Sequence, residues 1–435
     1  MKASPHKVTS KHRPRAGWLF SAAIVLGSAT FGAHAIADKA SKYYEDALRR
    51  YESNDLAGAA IQLKNTLQAD QKMLAAHLLM GKVLLKGGNF EGAKTAFEDA
   101  LRLGVSRSEV SVPLAQIYLQ LGEGDKLLQT ITTAGLPPQM QSEVLTMRGT
   151  AYAMAGNLSS AAQSFAEARA LDPASAAPLV AEAPLLLRAG EGERAKASAT
   201  RATELAPQNV MGWYVLGTIL HSTGDAAGAI KAFDRALALN AKHVDARVSR
   251  AAVLIGLNRE KDAEQELTQL KTWGVIEPRA SYLRGTLAAR KGDLATAKAE
   301  FGEAVNLIDP LPPAVRLGNE PLLMAGALAH RGLGNTEKAR EYLEAVLGRN
   351  TRHYAAQLML ASMLVEAKQY PRAVSMLEGL QRVSPKDPQV LSLLGSVHLA
   401  RRQYVQAAEL FERATALDPS GDASRELGMS QLGLG

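Results

Sequence analysis

Catalysis by a protein chain needs a nucleophile, a tuned acid–base pair or a close set of metal ligands. The nine histidines of this 435-residue chain are His6, His12, His34, His77, His221, His243, His330, His353 and His398. No two of them stand in an HxH or HExxH arrangement, so metal-ligand spacing is missing. Cysteine is absent, which removes disulfides, thiolate metal sites, a cysteine nucleophile and a lipid-acceptor thiol. Neither a GxxxxGK[ST] phosphate loop nor a GxSxG elbow occurs. Glu98, Glu167 and Glu303 are spaced as solvated helix-face residues, not as a catalytic pair. The residue types therefore point away from an enzyme and from any cofactor or metal. They point toward contact chemistry: Tyr44, Tyr51, Tyr214 and Tyr282 can stack, while Lys82, His221 and Arg279 can offer charge or hydrogen bonds. Each tyrosine has an equally plain reading as packing against the adjacent helix.

The elements that would position these residues recur at a fixed interval. Ala47, Gly81, Ala115, Gly149, Ala183, Gly217, Ala251 and Gly285 are each 34 residues apart. Twelve residues after each stands Ala59, Ala93, Leu127, Ala161, Ala195, Ala229, Ala263 or Ala297. Four further on come Leu63, Phe97, Ile131, Phe165, Ala199, Phe233, Leu267 and Phe301. A 34-residue period with these small and large positions is the tetratricopeptide (TPR) signature. The expected fold is all-α: a TPR solenoid, a right-handed superhelix of helix–turn–helix repeats.

Each unit reads as helix A, a short turn and helix B. In the fourth, Ser142 to Ala155 is predicted as helix A and Leu158 to Leu171 as helix B. Gly88, Gly122, Gly156, Gly190, Gly224 and Gly292 punctuate the turns, and Pro173, Pro207, Pro385 and Pro419 stop helix B. Ile131 is expected inside a full helix B. Pro113 and Pro184 fall inside predicted A helices and should kink or shorten them. No unit buries its apolar face alone, so stability is expected to be mostly nearest-neighbour.

Repeats 1–8 span residues 38–309. An insertion at 310–319, rich in proline and glycine, reads as a loop and a candidate hinge. Repeats 9–11 and a partial twelfth fill 320–435, with Ala327, Ala361 and Gly395 back in register. The twelfth unit stops at Gly435 before any helix B. Two readings fit that ending: a frayed tail, or a piece of a longer protein.

Positions 2, 5, 9 and 12 of each helix A share a face and should line a concave groove. That placement selects the seven candidate binding residues: Tyr44, Tyr51, Lys82, Tyr214, His221, Arg279 and Tyr282. Some TPR domains hold a C-terminal carboxylate with lysine and asparagine at positions 5 and 9, but no unit here carries that pair.

Charge narrows the partners. Five of the 50 basic residues lie in residues 1–37, which hold no acid, so 45 face 43 acidic residues thereafter, a balance of +2. A nearly neutral array offers no broad basic face for nucleic acid. The basic stretch Met1–Arg15, the apolar run Ala16–Ala33 and the small residues Ala33-His34-Ala35-Ile36-Ala37 have the three-part form of a secretory signal peptide. Cleavage after Ala35 or Ala37 would place the remainder in the periplasm. The alternative is an inner-membrane anchor formed by residues 16–33.

The segments Asp38-Lys39-Ala40-Ser41-Lys42-Tyr43-Tyr44-Glu45-Asp46-Ala47, Ala60 to Gln68, and Gly104 to Val110 resemble the TPR-repeat proteins of the PEP-CTERM system (PrsT type). The resemblance implies a Gram-negative envelope scaffold accompanying exosortase protein sorting and exopolysaccharide production. Its implied partners are envelope proteins, with polysaccharide as the alternative, and it carries over no catalytic residues. Two departures stand out: such proteins are commonly lipoproteins and about twice as long, whereas this chain has no cysteine and stops at Gly435.

Overall fold

The computed structural model describes residues 38–419 and 423–432. The signal reading at 1–37 lies outside the described residues. Those residues form 24 helices and no strand. They fall into two compact units that meet in sequence at Pro173 and Ala174. The insertion at 310–319 lies inside the second unit.

The first unit holds α1 (38–52), α2 (Leu56–Ala69), α3 (Leu74–Lys86), α4 (Phe90–Arg102), α5 (Arg107–Gln120), α6 (Gly124–Thr130), α7 (Pro138–Met154) and α8 (Leu158–Leu171). These are the A and B helices of repeats 1–4. In the second unit, repeats 5–8 comprise α9 (Ala177–Arg188), α10 (Gly192–Leu205), α11 (Val210–Ser222), α12 (Ala226–Leu239), α13 (Val244–Gly256), α14 (Glu260–Thr272), α15 (Pro278–Arg290) and α16 (Leu294–Ile308). After α17 (Pro313–Gly318), repeats 9–11 follow as α18 (Glu320–Gly332), α19 (Thr336–Arg349), α20 (Tyr354–Glu366), α21 (Tyr370–Val383), α22 (Pro388–Ala400) and α23 (Tyr404–Leu417). The last helix, α24 (Ala423–Leu432), begins the twelfth unit.

Two periodic devices start helix B. Gly88, Gly122, Gly156, Gly190, Gly224, Gly292 and Gly334 take positive φ at one turn position, and Asn54, Asn258, Lys368 and Arg402 take it there with side chains. One residue on, Asp55, Asn89, Asn157, Asp225 and Asp293 cap helix B, each accepting a bond from the third backbone N–H at 2.8–3.1 Å.

Helix A meets helix B through a matched pair of sizes. Where helix B carries phenylalanine at the large position, helix A carries glycine: Gly81 with Phe97, Gly149 with Phe165, Gly217 with Phe233, Gly285 with Phe301 and Gly395 with Phe411. A Cβ added at any of these glycines would stand 2.6–2.7 Å from the ring. Where helix A carries alanine, the partner position holds a smaller side chain: Leu63, Ile131, Ala199, Leu267, Leu343 or Leu377. Phe97, Phe165 and Phe411 are 0% exposed and Phe233 1%. Burying each such ring contributes about 1.5–3 kcal/mol.

Several local expectations are corrected. Helix B of repeat 3 stops after seven residues, and Ile131 is its extended C-cap rather than a helical residue. The β-branched run Ile131-Thr132-Thr133, followed by Gly135 and Pro137-Pro138, opposes helix continuation. Ile131 is still buried. Arg148 satisfies the open helix end, donating to the carbonyls of Leu128 at 3.0 Å and Ile131 at 2.8 Å. The fourth helix A begins at Pro138, ahead of the expected Ser142, because proline suits a first helical position. Both internal prolines lie within continuous helices: α5 keeps 14 residues around Pro113, while α9, with 12 residues around Pro184, is the shortest helix A of repeats 1–11, as expected of a shortened helix.

The insertion is not a plain loop either, since α17 occupies residues 313–318. Pro313 opens it at the first position, and Arg316 ties it back by donating to the Asp309 carbonyl at 2.9 Å. The Asp309 carboxylate in turn accepts from the Tyr342 hydroxyl and pairs with buried His330. Burial, then the Asp309 hydrogen bond, push the Tyr342 pKa above the usual phenol value.

The second unit also touches itself. Arg188, at the end of α9, donates to the Arg349 carbonyl at 3.3 Å, and Arg352 donates to the Ala189 carbonyl at 3.0 Å. Repeat 5 thus meets the junction of repeats 9 and 10, which a purely nearest-neighbour array does not do.

Candidate docking groove

The seven candidate residues divide between the units. Tyr44, Tyr51 and Lys82 belong to the first. Tyr44 and Tyr51 are half-buried against Ala47, Leu63 and Leu79, and the Lys86 ammonium sits 5.1 Å from the Tyr51 ring centre. Lys82 is exposed on α3. The two tyrosines therefore spend part of their surface on packing and keep the rest accessible.

In the second unit the structure joins only Tyr214 and Arg279. They share a cleft of about 620 Å³ whose polar wall also includes Asp245 and Glu277. Arg279 is clamped, with its Nη2 donating to Asp245 at 2.6 Å and its Nε to Glu277 at 2.8 Å. Burial opposes its charge, but the bonds to Glu277 and Asp245 outweigh that and hold the guanidinium pKa above its ordinary value. Tyr214 packs its ring 5.2 Å from His243 and 6.2 Å from Phe233. Burial, with Asp245 nearby, raises its pKa and keeps the hydroxyl a neutral donor.

Most of the remaining lining is apolar: Ile276, Leu311, Val315, Pro321 and Leu322, together with Asn319, and Ile276 is 77% exposed. Leu311 and Val315 come from the insertion, so the break in the repeat register forms one side of the cleft. The combination suits a segment that presents both an apolar side chain and hydrogen-bonding groups. His221 and Tyr282 lie outside this cleft. His221 stands on the last turn of α11, where crowding by protein lowers its pKa. Tyr282 stacks on Phe301 with ring centres 5.9 Å apart.

Sequence reasoning passed over Asp245 and Glu277. Asp245 precedes Arg279 by 34 residues, so the pair occupies one position of successive repeats, and that spacing could have revealed it. A second groove cleft, of about 560 Å³ in repeats 9–11, was also passed over; Arg331, Leu358, Met359, Ser362 and Leu393 line it. No group of three metal-capable side chains occurs among the described residues, and no described helix is long and apolar enough to cross a membrane.

Paired helices at a 34-residue period define the protein class: the chain is a TPR array. Comparison with known families agrees. A tetratricopeptide repeat-like domain matches residues 16–182, the TPR domain of cytochrome c-type biogenesis protein H residues 200–315, and two further tetratricopeptide repeat families residues 330–397 and 390–423. None of these four families is specific to the PEP-CTERM system. Among curated proteins, cellulose synthase operon protein C of Pseudomonas fluorescens (strain SBW25) is 24% identical over 186 residues. That match covers 42% of this chain and 14% of the relative. Among solved structures, the APC/C hetero-tetramer Cut9–Hcn1 is 13% identical with a TM-score of 0.40, covering 90% of this chain and 96% of that one. The type IV pilus biogenesis factor PilW is 19% identical with a TM-score of 0.38, covering 50% and 98%. PilF of Pseudomonas aeruginosa is 19% identical with a TM-score of 0.35, covering 56% and 94%.

Proposed function

We propose that this chain is a non-catalytic docking scaffold of the cell envelope. Its role is to hold protein partners during exopolysaccharide production or export, or during exosortase-linked sorting of surface proteins. The observation that carries the reading is the cleft of repeats 6–9, which the clamped Arg279, Asp245 and Tyr214 line together with apolar side chains. The groove there offers extended contact and no reactive constellation. The leader at 1–37 supports a periplasmic location by its signal-like form. The likeness to cellulose synthase operon protein C supports an exopolysaccharide setting.

Direct binding of the polymer is the second reading. The partly accessible tyrosines Tyr44 and Tyr51 favour it, since sugar faces stack on aromatic rings. Affinity capture from a Gram-negative envelope extract separates the two. Protein partners that persist after glycan digestion and disappear with Arg279→Glu support the scaffold. Retention of polymer alone, unaffected by Arg279→Glu, rejects it.

A further inference from the structure

The repeats provide an internal comparison that isolates one guanidinium. Arg148, Arg250 and Arg284 occupy the same position of helix A in repeats 4, 7 and 8. Sixteen residues later, helix B carries Glu266 and Glu300 in repeats 7 and 8 but Ser164 in repeat 4. Arg250 pairs with Glu266, and Arg284 Nε donates to Glu300 at 2.8 Å. In repeat 4 that place holds Ser164, whose hydroxyl donates to the Ser160 carbonyl at 2.8 Å, and Arg148 forms an ion pair with no carboxylate among the described residues. Its Nη1 turns instead to the two carbonyls left open by the short α6, and its Nη2 lies 3.4 Å from the Tyr152 hydroxyl.

The same truncation helps open a cleft of about 350 Å³ beside it, lined by Arg148, Tyr152, Thr132, Thr133, Ser160 and Gln163. The Glu167 carboxylate also lines the cleft and keeps its charge, its Oε1 accepting from the Gln163 amide at 2.8 Å. The half-buried guanidinium, in ion-pair contact with no carboxylate among the described residues, shares the cleft with hydroxyls, an amide, one aromatic ring and the Glu167 carboxylate. Apolar lining is confined to Leu128 and Leu145.

We propose that this cleft binds a single carboxylate carried on a small hydroxylated ligand, a sugar acid in chemical class. The carboxylate takes the place that Glu266 and Glu300 fill in repeats 7 and 8, forming a charge-assisted bond to Arg148. Thr132, Thr133, Ser160 and Gln163 supply partners for the ligand hydroxyls, which a bare carboxylate or an apolar peptide end would leave unused. The cleft lies wholly in the first unit, so this inference stands apart from the groove reading of repeats 6–9.

Isothermal titration of the full chain with D-glucuronate, D-glucose and acetate tests it. Glucuronate should bind at least tenfold more tightly than glucose or acetate. Ser164→Glu installs the carboxylate found in the sister repeats. It should weaken glucuronate at least tenfold while the melting temperature holds or rises. Gln163→Leu, at an exposed position, should weaken it at least threefold with the fold intact. Binding of glucose as tightly as glucuronate, full affinity in Ser164→Glu, or no glucuronate heat from the parent chain would each overturn the proposal. Acetate matching glucuronate would overturn the hydroxylated-ligand half of it.

Discussion

The glycine–phenylalanine pairing makes a quantitative demand that one double-mutant cycle can test. In Gly217→Ala the new methyl would sit 2.6 Å from Phe233 Cε1, inside any normal carbon contact. Overpacking of this kind costs about 1–3 kcal/mol. Alanine in place of glycine in mid-helix returns about 1 kcal/mol of helix propensity, so the single variant should lose roughly 0–2 kcal/mol. Phe233→Leu alone removes ring atoms from a site 1% exposed and should cost about 1–3 kcal/mol through the cavity it leaves. The double variant recreates the alanine–leucine pair of repeats 1, 7, 9 and 10. Its loss should be smaller than the sum of the two single losses by about 1–2 kcal/mol, because helix propensity cancels in the cycle and only the steric coupling remains. Urea unfolding followed by far-UV circular dichroism, with all four proteins at one temperature, measures this. Strict additivity within 0.3 kcal/mol would refute the size-matching argument. A parallel Ala361→Gly and Leu377→Phe cycle should show coupling in the same favourable sense.

Four further outcomes are expected. Arg402 holds φ at 62°, so Arg402→Gly should raise stability by about 0.5–1 kcal/mol, read as a higher melting temperature. Asp309→Ala leaves the Tyr342 hydroxyl and buried His330 without their acceptor and should cost about 2–3 kcal/mol in urea unfolding, with early hydrogen exchange around α17. Glu320 is held below its ordinary carboxylate pKa of 4.5, first by the His353 hydrogen bond, although burial opposes it. Its contribution is therefore complete above the unfolded value and lost as pH falls through the lower folded value. Glu320→Gln should remove that part of the acid limb in a stability–pH profile: stability falls at neutral pH, and variant and parent converge at low pH. Arg279→Ala should abolish capture of a groove partner and destabilise the second unit by about 1–3 kcal/mol, because Asp245 and Glu277 stay behind without their cation.

Much of the fold was legible because it is periodic. The small residue in helix A and its large partner in helix B recur by translation, so reading one repeat meant reading most of them. Departures escaped for the same reason. The short α6 is announced by Ile131-Thr132-Thr133 and Pro137-Pro138, yet the 34-residue register runs unbroken across it. In the insertion, prolines suggested a loop, but Pro313 sits where a helix can begin, and Arg316 reaches a carbonyl seven residues back. The groove was legible in part. Arg279 and Tyr214 could be placed by position, and Asp245 could have been. The wall built by Leu311 and Val315 could not, because it joins side chains that occupy no equivalent positions.

The bonds linking Arg188 to Arg349 and Arg352 to Ala189 change how the second unit should respond to shortening. A row of tiles loses one tile at a time. This row is buckled, with two arginine side chains each fastened to a backbone carbonyl, one 161 and the other 163 residues away. Trimming the later repeats would strip the fastening from α9, far away along the chain. Damage at the junction of repeats 9 and 10 should therefore surface as fraying at repeat 5, while the repeats between remain tightly shut.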